Sequence, residues 1–185
     1  DALGAAEVAL HGYALMPRGI WLVATPADVG GLGRAMQAIG RRYVRWVNDR
    51  RGETGGLFAG RFKAAALEPE TASLLALRYI DALPARLAAA PEQYRWSSCR
   101  VHLGLASAPY LKTLPTYWAL GNTPFDRQAA YRRLLEEGVA RSVEELLCLR
   151  AVLRGLALDR VGGDRERRAC EPDQRRVAQV AAGEL

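Results

Sequence analysis

The chain has 185 residues, 50% hydrophobic and 25% charged, with a formal net charge of +6. That length suits one domain, or a domain with a tail, and can bury a core without disulfide staples. No apolar run approaches the roughly 18 residues of a membrane span, the opening DALGAAEVAL carries acids and no basic leader run, and Cys99, Cys148 and Cys170 are too few and too far apart for a disulfide framework or a CxxC metal site, which leaves a reduced, cytoplasmic setting as the default.

HGYALM (11–16) and IWLVAT (20–25) are short apolar runs around a Pro17-Arg18-Gly19 turn, which predicts a β-hairpin. Gly30 and Gly31 then open a helical pattern. Leu32, Met36, Ile39, Tyr43 and Val47 recur at spacings of three and four, so they share a face expected to enter the core. Arg34, Arg41 and Arg45 fall on the opposite side. This stretch is also where the charge sits. Residues 31–63 hold Arg34, Arg41, Arg42, Arg45, Arg50, Arg51, Arg61 and Lys63 against Asp49 and Glu53, an excess equal to the whole net charge. A local basic excess points to a polyanion, most often nucleic acid. From charge alone, a merely solvated face accounts for it equally well.

Arg50 to Gly56 read as a loop, and LFAGRFKAAALE (57–68) as a strand interrupted near Gly60. Glu68-Pro69-Glu70 predicts the start of a helix that runs to about Asp81 and stops before Pro84. Leu75, Tyr79 and Leu83 lie four apart on one of its faces. Thr123-Pro124-Phe125-Asp126 and Ser142-Val143-Glu144-Glu145 are capping boxes. Leu146, Leu149 and Leu153 stripe the last helix, which Gly155 can cap. From about Asp159 the chain turns polar and reads as a mobile tail.

Four blocks, HGYALMPRGIWLVATP (11–26), IGRRYVRWVNDRRGETGGLFAGRFK (39–63), LRYIDALPAR (77–86) and YRWSSCRVHLG (94–104), together resemble the REP-associated tyrosine transposases. These form a single-tyrosine branch of the His-hydrophobic-His nucleases. The resemblance covers roughly residues 8–135 and, weakly, the helix from Ser142. It implies an α+β fold: a ferredoxin-like, mostly antiparallel sheet with flanking helices over residues 1–105, a helical C-terminal extension over 106–158, and the tail over 159–185. It also implies a further strand and helix ahead of His11, to be supplied by upstream sequence or another chain, or lost by decay of the gene.

The resemblance implies DNA transposition: metal-assisted transesterification on single-stranded DNA, with a tyrosine attacking the phosphodiester. Two imidazoles at i and i+2 of a strand, and a ligand four residues after the tyrosine on its helix, would aim at one magnesium or manganese ion. The nucleophile position falls on Tyr79. The two histidine positions fall on Gly19 and Trp21, the preceding asparagine on Arg18, and the helix ligand on Leu83. An acid expected before Gly60-Arg61 is also missing. No cofactor is therefore expected. The leading expectation is a degenerate DNA-binding protein for single-stranded or hairpin DNA, contacting phosphates through Arg34, Arg41, Arg42, Arg45, Arg50, Arg51, Arg61 and Lys63. Its enzymatic status stays open, because an active transposase with a site rebuilt around His11 is one alternative and an interaction module without a nucleic-acid role is another. No membrane association is expected. Trp21 is expected to pack where an ion would sit, Trp96 to enter the core, Ser97 or Ser98 to cap a turn, and Cys99 to be unreactive.

Overall fold

The computed structural model describes residues 2–137, except 18, 59, 71 and 89, together with the backbone of residues 178–184. A short helix α1 (Ala2–Ala5) leads into β1 (Val8–Met16) and β2 (Gly19–Pro26), which pair antiparallel from Val8↔Pro26 to Met16↔Gly19. This is the hairpin that the two apolar runs predict. Along β2 the side chains alternate between two faces. Ile20, Leu22 and Ala24 join one cluster, while Trp21 and Val23 join the other.

Strand β1 does not alternate throughout. Leu10 pairs with Ala24, yet Gly12 pairs with Val23, so His11 is an extra residue in the ladder. A bulge of one residue reverses which face the following side chains meet. Val8 and Leu10 lie on one face before it, and Ala14 and Met16 on the other after it. A Cβ added at Gly12 would lie 2.4 Å from Leu77 Cδ1, so the bare glycine leaves the room that the Leu77 side chain fills against the strand.

Helix α2 (Gly31–Arg51) covers the first face through Leu32 and Ala35. Helix α3 (Ser73–Ala82) covers the second through Ala76, Leu77 and Ile80, and continues as a 3₁₀ turn over Leu83–Arg86. The second core is completed from later in the chain. Helices α4 (Cys99–His102) and α5 (Pro115–Trp118) and the helical residues 124–137 bring in Cys99, Tyr117, Tyr131 and Leu135. Residues from both sides of position 105 thus share one core. The outer edge of β1 is not left open. Leu15 N–H donates to the Trp96 carbonyl, Ser98 N–H to Tyr13, and Lys112 N–H to Leu10.

Three expectations change. The strand expected over 57–68 is only β3 (Lys63–Leu67), because glycines at 55, 56 and 60 punctuate what precedes it. The helix expected from Glu68 begins at Ser73, whose hydroxyl donates to the Pro69 carbonyl across a preceding turn. Part of the expected tail is a strand: β4 (Ala178–Glu184) lies between β2 and β3, antiparallel to both, and gives the order β1-β2-β4-β3. The uncharged run Val177 to Gly183 suits a strand with neighbours on both sides, whereas the charged residues before it dominate a reading by composition. The box at Thr123 is present, with Asp126 N–H donating to Thr123 Oγ1 and Thr123 N–H to Asp126 Oδ2, both at 3.2 Å. The helix expected from Ser142 lies outside the described residues. Among the described residues no helix is long and apolar enough to cross a membrane.

Candidate nucleic-acid interface

Helix α2 is two helices in terms of environment. Its first turns pack on the sheet. From Arg41 onward only Val47 is buried, and Arg41, Arg42, Arg45, Arg50 and Arg51 are exposed. The C-terminal end is fixed by Gly52 in the left-handed region (φ 67°), with its N–H on the Asn48 carbonyl. Asn48 Nδ2 also donates to the Gly55 carbonyl at 3.0 Å and holds the following loop.

The eight basic residues proposed from sequence divide by what holds them. Arg34 is paired with Asp28 at 2.5 Å, and its second nitrogen reaches the other carboxylate oxygen at 3.2 Å. The Arg34 hydrogen bond holds the Asp28 carboxyl below its usual range, so this bidentate pair stays ionised. Arg34 is spent on closing the turn before α2. Arg51 has a loose contact to Glu53 at 4.0 Å. Arg41, Arg42, Arg45 and Arg50 have no acidic partner among the described residues. Arg61 and Lys63 are exposed on the stretch that enters β3.

Aromatic rings accompany these arginines. Tyr43 and Trp46 stack at 6.1 Å with an 18° angle, Phe58 tilts against Tyr43 at 6.3 Å, and the Arg50 guanidinium lies 4.3 Å over the Trp46 ring. The expectation that Tyr43 enters the core fails, since the ring is 38% exposed. Beyond Met36 only Val47 of that stripe is buried. Trp46 is the functional candidate that periodicity misses; the available signal is the Arg42-x-x-x-Trp46-x-x-x-Arg50 spacing, which puts all three on one stripe.

The positions expected to hold the family's chemistry converge elsewhere. Trp21, Tyr79 and Leu83 all belong to the core between the sheet and α3, where Leu83 is buried and Trp21 and Tyr79 are half-buried. Gly19 is buried at the start of β2. A glycine, an indole and an aliphatic chain supply no donor for a hard cation, so a divalent ion does not fit these residues.

Neither histidine replaces them. His11 Nδ1 lies 2.6 Å from the Lys112 carbonyl and Nε2 lies 2.8 Å from Thr25 Oγ1. A carbonyl only accepts, so Nδ1 carries the proton and Nε2 accepts from the threonine. Burial lowers the pKa of His11, against the pull of the Lys112 carbonyl, and keeps the ring neutral. His102 Nδ1 lies 2.5 Å from Asp81 Oδ2, and Nε2 lies 3.0 Å from the His11 carbonyl. Both partners accept, so both nitrogens carry protons. Burial opposes that charge, but the attraction and hydrogen bond of Asp81 outweigh it and raise the pKa of His102. Asp81 is fully buried and also accepts from Ser98 Oγ at 2.6 Å and Tyr131 Oη at 2.8 Å. This cluster ties α3, β1, α4 and the helical residues 124–137 together.

The expected role of Trp96 is corrected as well: it is 51% exposed, with the Arg95 guanidinium over it, because the following Ser98 turns inward to Asp81. Cys99 is buried, and burial with the nearby Asp81 charge pushes its thiol pKa far up, which removes its nucleophilic form. Comparison with protein-family models, with curated proteins and with solved structures yields no match.

Proposed function

We propose that this chain is a degenerate relative of the REP-associated tyrosine transposases, which binds single-stranded or hairpin DNA and lacks metal-dependent strand cleavage. The ferredoxin-like character of the sheet and a cytoplasmic location belong to the same reading. The observation that carries it is the exposed second half of α2, where Arg41, Arg42, Arg45 and Arg50 stand without acidic partners among the described residues. Arginine forks suit phosphate oxygens. The convergence of Trp21, Tyr79 and Leu83 on one core supports the alignment of those positions with the family's site. Their chemistry argues against cleavage, and the hydrogen bonds on both His11 nitrogens argue against a site rebuilt there.

A salt titration of a fluorescent hairpin oligonucleotide against the full chain tests the binding. The affinity should fall linearly on a log–log plot, with a slope of about −0.7 per phosphate contact on a single strand. No binding at low salt would overturn this reading and favour an interaction module.

A further inference from the structure

We infer that Trp46, backed by Tyr43, is a stacking site for an unpaired DNA base, with Arg42 and Arg50 holding the phosphates on either side. This inference rests on the DNA-binding reading and adds how the surface tells single strands from duplex.

Trp46 is 52% exposed and Tyr43 38%, in the middle of the basic segment. Large rings left in water forfeit burial that most aromatic side chains obtain. These rings nevertheless pack on each other and on Phe58 from the loop that Asn48 holds. Arg42, Trp46 and Arg50 follow at intervals of four, one above the other on a helix. The two arginines are separated by about 12 Å of helix, at a rise of about 1.5 Å per residue. The ring between them offers an aromatic face where a strand would place a base. The Arg50 guanidinium lies 4.3 Å over that ring, the place a planar base takes when the guanidinium swings out to a phosphate. Bases in a duplex are already stacked and cannot reach it, whereas every unpaired base can.

Two other tryptophans also sit beneath a guanidinium but lack this arrangement. The guanidinium over Trp118 belongs to Arg127, which is buried and donates to the Gly121 and Asn122 carbonyls. That pair is a brace within the fold. Trp96 has Arg95 over it but stacks on no second ring among the described residues.

The test uses the full chain, a labelled oligothymidine, a duplex of equal length and inorganic polyphosphate, which offers charge without bases. Trp46→Ala should weaken oligothymidine binding by about 5- to 150-fold, the range for losing one stacked base, and leave polyphosphate and duplex binding unchanged. Trp46→Phe, which keeps a ring, should restore most of the loss. The inference is overturned if Trp46→Ala binds oligothymidine like the native chain, or if it loses polyphosphate to the same degree. A native chain that binds neither oligothymidine nor duplex would instead sink the DNA-binding reading beneath it.

Discussion

His11 and His102 sit in one fold with opposite protonation states, and their partners decide which is which. His11 faces one acceptor and one hydroxyl, so a neutral ring satisfies both. His102 faces two acceptors, so only the imidazolium does. The consequences for stability have opposite signs. The raised proton affinity of His102 contributes stability that is full below its ordinary value of 6.5 and is lost as pH rises through the folded-state value. The lowered value of His11 contributes stability that is full above 6.5 and is lost as pH falls through it. His102→Gln should therefore remove the decline in stability above pH 6.5 and cost about 3–5 kcal/mol, because it leaves the Asp81 carboxylate buried without its counter-charge. Urea denaturation across a pH series reads both. An unchanged decline would contradict the assignment. From sequence these two residues can be read only as hydrogen-bonded or solvated; their partners lie 14 to 101 positions away in the chain, where no local pattern reaches.

At the scale of elements, period identifies α2, and two apolar runs around a Pro-Arg-Gly turn identify the hairpin. Period misplaces Tyr43 because a helical stripe says which residues share a side, not which of them are covered. It also misses the bulge at His11, which changes the faces of Ala14 and Met16 without any mark in composition. The turn that closes before α2 takes Arg34 out of the basic face, and this separates two arginines that look alike in sequence. Arg34→Gln should leave the salt slope of DNA binding unchanged, since Asp28 already holds that guanidinium. Arg42→Gln should reduce the slope by about 0.7, the share of one phosphate contact on a single strand. Equal slopes for the two variants would contradict the division of the basic face described above.

In the molecule as a whole, two cores lie on the two faces of a small sheet and carry different duties. The core under α3 gathers Tyr79, Trp21 and Leu83 with the Asp81 cluster, whose hydrogen bonds hold α3, β1 and α4 together. The far half of α2 extends beyond the other core and exposes cations and rings. Much of this division is legible in the sequence: the hairpin and the basic helix follow from residue type and spacing. The closure of the sheet by β4 is not, since strand pairing across such a separation leaves no local signal. On the proposed function, binding survives where cleavage does not. The most direct test is to incubate the full chain with a hairpin oligonucleotide and manganese, then run half of the sample on a native gel and half on a denaturing gel. The expected result is a retarded complex on the native gel that dissociates completely on the denaturing one. A denaturant-resistant adduct that disappears with Tyr79→Phe would contradict it.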